Sequence, residues 1–198
     1  MKAIVYHRYG SPDVLKCEEI QKPMAGDSEV LLKVRAASVN PADWHLMEGK
    51  PSLVRLLFGL GMLKPKNARL GADVAGQVEA VGRNVTQFKP GDEVFGVSRG
   101  AFAEYACAPE SKVAMKPDNV TFEQAASVPI AAVTALQGLR DKGQIRSGQK
   151  VLINGAAGGV GTFAVQIARL FGANVTGVCS TRNVDMVRSI GANRIIDY

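Results

Sequence analysis

The chain has 198 residues, of which 46% are hydrophobic and 21% charged, and its formal net charge is +6. That composition is ordinary for a soluble globular protein, and the length suits one large domain or two small ones. The basic residues form no block of like charge, so they lend nucleic-acid binding little support, and the longest apolar stretch, Leu53 to Leu63, is broken by Arg55, Gly59 and Gly61 and falls well short of the roughly 20 residues of a membrane span.

Met1-Lys2 leads directly into Ala3-Ile4-Val5-Tyr6, a strand-like run with no secretory signal ahead of it. Short β-rich runs occupy Lys2–His7, Leu15–Ile20, Val30–Ala37, Gly71–Val81, Glu93–Val97 and Ala101–Ala108. Gly10-Ser11-Pro12, Lys89-Pro90-Gly91-Asp92 and Lys116-Pro117-Asp118 are turn signals between them. Many short strands with Gly/Pro turns predict a small β-rich barrel or sandwich-like domain over residues 1–120. Within it, Leu53–Leu63 reads as a pocket wall or lid, with an interfacial helix as the alternative.

From Thr121 the character is helical. Thr121 is an N-cap candidate, and Gln124 three residues on completes a capping box. Pro129 separates two helical pieces, the second running to about Leu139. From Lys150 the pattern alternates strand and helix: 150–154, 159–171, 174–179, 183–190 and 194–197. These are βαβ units with right-handed crossovers. A complete doubly wound sheet has about six strands in order 3-2-1-4-5-6. Residues 121–198 therefore predict an α/β unit holding the first three strands only. A half sheet leaves an open edge, which implies a fragment or a chain whose sheet a partner completes.

Cys17, Cys107 and Cys179 lie far apart without C-x-x-C spacing and read as buried thiols of a reducing, cytoplasmic compartment. Only two histidines exist, His7 and His45. Zinc needs three or four clustered ligands, so no metal site is expected.

The densest chemical signal is Lys150-Val151-Leu152-Ile153-Asn154-Gly155-Ala156-Ala157-Gly158-Gly159-Val160-Gly161. An apolar strand enters a cluster of small residues, and an amphipathic helix starts straight after it. Small residues let the backbone approach a phosphate, and the helix offers free N–H groups and its positive dipole end. Ala157, Gly158, Gly159 and Val160 are the expected pyrophosphate lining. The spacing is Ala156-x-Gly158-x-x-Gly161, with Ala in place of the first Gly, tolerable where φ stays negative. Enzymes that prefer NAD place an acid about 20 residues on, at the end of the second strand. No Asp or Glu lies between Gly161 and Cys179, and Ser180-Thr181-Arg182 follows. Two hydroxyls and a guanidinium suit a 2′-phosphate, hence NADPH. A solvated Arg182 opening the next helix is the alternative.

Four segments together resemble the quinone oxidoreductase (zeta-crystallin-like) branch of the medium-chain dehydrogenase/reductase superfamily. They are Ser38-Val39-Asn40-Pro41-Ala42-Asp43, the run Gly71-Ala72-Asp73-Val74-Ala75-Gly76 to Gly82, Lys89-Pro90-Gly91-Asp92-Glu93-Val94-Phe95-Gly96, and Ala156–Gly161. The resemblance implies an N-terminal GroES-like catalytic domain, a Rossmann cofactor domain and an active site in the cleft between them. It implies NADPH-dependent, zinc-independent reduction of a quinone or enone, and a homodimer. An NADP-dependent alcohol dehydrogenase, an enoyl reductase and a non-catalytic NADPH-binding protein are the alternatives. Zinc-dependent relatives carry Cys in the loop held here by Asn40–Asp43, and Gly-His-Glu where this chain has Gly71-Ala72-Asp73. Family members extend well past the last residue here.

The same resemblance implies individual roles. Asn40 matches a polar residue beside the nicotinamide ribose and substrate oxygen; a turn residue before Pro41 is the other reading. His45 stands where many relatives carry Tyr near the substrate, and an imidazole suits a proton donor, although a lone His is more often structural. Asp43 orients a neighbour or caps the following helix. Thr134 matches a residue approaching the nicotinamide, or is a helix-facing Thr. Tyr198 matches an aromatic against the adenosine, or packs. Trp44 and Leu53–Leu63 shape an apolar pocket mouth, or serve core packing.

Overall fold

The computed structural model describes residues 1–50, 61, 64–66 and 68–198. The chain folds as two compact units, Met1–Pro129 and Ile130–Tyr198.

The first unit opens with an antiparallel ribbon of β1 (Lys2–Val5) and β2 (Lys16–Glu19). A five-stranded antiparallel sheet follows, in order β6-β3-β4-β5-β7. Its strands are β3 (Glu29–Ser38), β4 (Asp73–Val81), β5 (Glu93–Val97), β6 (Tyr105–Pro109) and β7 (Val113–Met115). Alternation in β3 explains its placement. Val30 and Leu32 are fully buried and Val34 packs beside them, while Lys33 and Arg35 are exposed. Val74, Val78, Val94 and Ala108 close the same core. The opposite face is covered by α2 (Phe122–Ala126), whose Ala125 and Ala126 pack on Ala75. As expected, Thr121 caps α2 and exchanges hydrogen bonds with Gln124. Between β3 and β4, α1 spans Pro41–Glu48 and ends at Gly49 in the left-handed region (φ 62°).

The elements differ from expectation where backbone partners lie elsewhere. The sixth strand starts at Tyr105, not Ala101: the Ala101 and Phe102 N–H groups bond the Gly71 and Leu70 carbonyls, and Ala103 bridges Ala3. Strand β7, only three residues long, carries no alternation from which to predict it. The thiols are also corrected. Cys179 is buried, but Cys107 is half-buried and Cys17 exposed, because β2 belongs only to a two-stranded ribbon with an open face. The predicted wall or lid at Leu53–Leu63 lies, Gly61 apart, outside the described residues.

The second unit begins with α3 (Pro129–Leu136), which Pro129 initiates and which runs on as a π turn over Gln137–Lys142. The Gly143 N–H bonds the Gly138 carbonyl there. A parallel three-stranded sheet follows, in order β10-β9-β8, with β8 at Lys150–Asn154, β9 at Asn174–Cys179 and β10 at Arg194–Asp197. This is the 3-2-1 half of a doubly wound sheet. Helix α4 (Gly159–Leu170) buries Gly161, Ala164, Val165 and Ala168, an i, i+3, i+4, i+7 stripe. The stripe packs on Ile153, Ala156 and Val175; burying Val165 alone stabilises the unit by about 1.5–3 kcal/mol. A 3-10 turn at Thr181–Asn183 precedes α5 (Val184–Ser189), where one helix over 183–190 was expected. No helix among the described residues is long and apolar enough to cross a membrane.

Candidate functional site

Two groups of residues carry chemistry, one in each unit. In the second unit, β8 ends at Asn154 and the chain turns at Gly155, whose φ is 71°. Ala156 then bonds the Val178 carbonyl on β9 through its N–H (3.0 Å), and the Gly158 N–H bonds the Gly155 carbonyl (2.9 Å). Ala156 has no positive φ, so Ala is compatible with the place of the usual first glycine. Gly158 is the N-cap of α4. The first donor of the helical ladder is Thr162, to the Gly158 carbonyl at 2.9 Å. The N–H groups of Gly159, Val160 and Gly161 therefore have no acceptor within the helix.

Gly161 is a packing glycine: a Cβ there would lie 2.0 Å from the Gly155 carbonyl oxygen. Gly159 is different, since a Cβ there would meet nothing within 4 Å. The open backbone, exposed at Gly158, Gly159 and Val160, fits a pyrophosphate cradle at the positive end of a twelve-residue helix. Ala157 is half-buried beside it.

At the end of β9, the Ser180 hydroxyl oxygen accepts from Asn183 Nδ2 at 3.1 Å, which leaves its own proton available. The Thr181 hydroxyl donates to Asp197 Oδ1 at 3.0 Å. Arg182 is exposed in the 3-10 turn. Tyr198 follows β10 and is 80% exposed. Thr134 is exposed on α3.

In the first unit the chemistry gathers at the junction of β3, α1 and β4. Asn40, 9% exposed, is the N-cap of α1. Its Nδ2 donates to Asp73 Oδ2 at 3.0 Å and lies 3.5 Å from Ser38 Oγ. Ser38 Oγ also donates to Asp73 Oδ2, at 2.9 Å. Asp43, almost fully buried, holds the backbone: Oδ2 accepts the Asn40 N–H (2.8 Å) and Oδ1 the Gly71 N–H (3.0 Å). Gly71 is required at its φ of 93°, where a Cβ would lie 2.7 Å from the Phe102 nitrogen. The Asn40 amide nitrogen thus faces inward to a carboxylate. His45 is exposed, its ring tilted 40° against that of Trp44 with centroids 4.7 Å apart. Trp44 itself is half-exposed.

Asp73 and Asp197 were given no role from sequence. A signal existed for Asp73, a carboxylate directly ahead of the apolar run Val74-Ala75, and the burial of its side chain is complete. Asp197 reaches Thr181 across 16 residues of chain, a pairing no local pattern encodes. Among the described residues no three His, Cys, Asp or Glu side chains are grouped to hold a metal ion.

The family profile described as "Alcohol dehydrogenase GroES-like domain" matches residues 26–118. The chain is 40% identical over 210 residues to a chloroplastic quinone-oxidoreductase homolog of Spinacia oleracea, covering all of this chain and 61% of that protein. The quinone oxidoreductase of Coxiella burnetii superposes with a TM-score of 0.89 at 36% identity, over 100% of this chain and 62% of the other. The Escherichia coli quinone oxidoreductase, solved as a complex with NADPH, superposes at 0.87 with 27% identity, over 100% of this chain and 59% of that one. The chain thus spans about three fifths of the length of each of these proteins.

Proposed function

We propose that this chain, which belongs to the quinone oxidoreductase branch of the medium-chain dehydrogenase/reductase superfamily, serves an oxidoreductase that passes hydride from NADPH to a quinone or an α,β-unsaturated carbonyl. In this reading residues 1–120 are the GroES-like domain and residues 121–198 the first half of the NADPH-binding domain. The observation that carries it is the turn from β8 through Gly155 into α4, with open backbone at Gly159 and three N–H groups lacking helical acceptors. The Escherichia coli relative crystallised with NADPH supports the same cofactor.

When bound, NADPH supplies hydride, and the protein supplies binding, orientation and electrostatics. The Gly159 and Val160 N–H groups hold the pyrophosphate, with Ala157 and Gly158 shaping the approach. Arg182 and the free Ser180 hydroxyl proton hold the 2′-phosphate by charge-assisted bonds, with Thr181 beside them. Tyr198 lies against the adenosine and Thr134 approaches the nicotinamide. Asn40 stands beside the nicotinamide ribose and the substrate oxygen, with its amide oriented by the Nδ2 bond to Asp73. His45 donates a proton to the enolate that forms as hydride arrives.

We read the chemistry as zinc-independent, because both Asp43 oxygens accept backbone N–H groups and the Asp73 Oδ2 accepts two side-chain donors. A homodimer belongs to the same reading. Turnover of NADPH with a 1,4-quinone and with a simple enone tests it. Oxidation of NADPH that depends on either acceptor and survives a chelator is expected. Turnover that a chelator abolishes and zinc restores overturns the zinc-independent reading.

A further inference from the structure

The end of β9 lacks the acid that an NAD-preferring site would carry, yet the fold delivers one from another strand. Asp197 is the last residue of β10, and the parallel register sets it opposite Cys179, the last residue of β9. Its Oδ1 accepts the Thr181 hydroxyl at 3.0 Å. The Ser180–Arg182 turn and the carboxylate therefore share one rim of the sheet.

Two consequences follow for an anion arriving there. A Thr hydroxyl has a single proton, and Thr181 spends it on Asp197, so Thr181 is left to accept and cannot donate to a phosphate. In addition, Asp197 brings a negative charge one residue from Arg182. Neither residue has an ion-pair partner among the described residues, so neither charge is neutralised. A phosphate drawn by Arg182 is repelled by Asp197, whereas a ribose 2′-hydroxyl is neutral and can itself donate to the carboxylate.

We propose that Asp197 is a specificity-determining residue: its carboxylate opposes the 2′-phosphate of NADPH and holds down the preference for NADPH over NADH that Arg182 creates. The inference rests on the cofactor reading above. A water-exposed carboxylate this close to a phosphate carrying nearly two charges changes affinity by about three- to tenfold at low salt.

The test is a set of nicotinamide-fluorescence titrations of the 198-residue chain with NADPH and NADH, at low ionic strength and in about 1 M salt, where screening acts within roughly 3 Å. Asp197→Asn keeps shape and an acceptor for Thr181 while removing the charge. It should tighten NADPH about three- to tenfold and leave NADH within about twofold or weaker, with the gain shrinking in high salt. Asp141→Asn removes one negative charge elsewhere in the same unit, at a carboxylate paired with Arg140, and should leave the NADPH/NADH ratio within about twofold. A ratio unchanged in Asp197→Asn, or raised as much by Asp141→Asn, overturns the inference while the cofactor reading stands. A wild-type chain that binds neither nucleotide overturns both.

Discussion

Asp43 is the residue on which the first unit's polar junction depends most heavily. Its two carboxylate oxygens accept the N–H groups of Asn40 and Gly71, at 2.8 and 3.0 Å, in a setting that leaves the side chain almost fully buried. Asp43→Ala removes both acceptors at once. Each buried donor left unsatisfied costs about 1–3 kcal/mol, and loss of an acid in the first turn of α1 adds about 0.3–1 kcal/mol. The sum, about 4 kcal/mol, is a large part of the 5–15 kcal/mol typical of a domain. With a urea m-value of about 2 kcal/mol/M, the midpoint falls by about 2 M. Trp44 is the chain's only tryptophan and adjoins Asp43 in α1, so its fluorescence reports unfolding of this unit without interference from the other. Asp43→Asn retains one acceptor and turns an NH2 toward the second N–H, and it should fall between Ala and wild type. A shift worth under about 1 kcal/mol for Asp43→Ala would mean that neither donor depends on this carboxylate.

Other consequences are as specific. Gly161→Ala places a Cβ 2.0 Å from the Gly155 carbonyl oxygen, so the turn must move; NADPH affinity should fall at least about tenfold, measured by fluorescence titration, and an unchanged affinity would mean the turn is not the phosphate cradle. Arg182→Ala should lower NADPH affinity by about 10- to 100-fold and leave NADH nearly unaffected, as expected for a charge-assisted bond to phosphate; equal loss for both nucleotides would remove the 2′-phosphate role. Under native conditions iodoacetamide should modify Cys17 first, because Cys17 is exposed whereas Cys179 is buried and burial pushes the Cys107 thiol above the ordinary cysteine range; peptide mapping that finds Cys107 modified first would contradict this. His45→Ala should cut turnover of NADPH with the acceptor, since it removes the proposed proton donor; unaltered turnover would assign His45 a packing role against Trp44.

The parts legible in the sequence were those governed by local periodicity. Strands β5, β8, β9 and β10 fall where alternation and turn residues put them, and α4 announces itself by its i, i+3, i+4, i+7 stripe and the glycines before it. The capping box at Thr121 and Gln124 is likewise a local code. What escaped was set by contacts distant in sequence. Ala101–Ala103 has strand-like residues, but its N–H groups and its bridge are taken by Leu70, Gly71 and Ala3. The exposure of Cys17 depends on β2 lacking a second neighbour. The inward turn of the Asn40 amide depends on Asp73, 33 residues away. The pairing of Thr181 with Asp197 needs the parallel register of β9 and β10. Motifs therefore pointed to the glycine turn proposed as the nucleotide cradle, whereas the hydrogen bonds that decide what each polar side chain still has to offer required the fold.

On the proposed reading, the turn between β8 and α4, with Arg182 beyond it, binds NADPH. Titration of the chain with NADPH and NADH, followed by nicotinamide fluorescence, should show saturable binding of NADPH that is tighter than that of NADH and is weakened by both Gly161→Ala and Arg182→Ala. No saturable binding of either nucleotide, or NADPH binding that both substitutions leave intact, would contradict that reading.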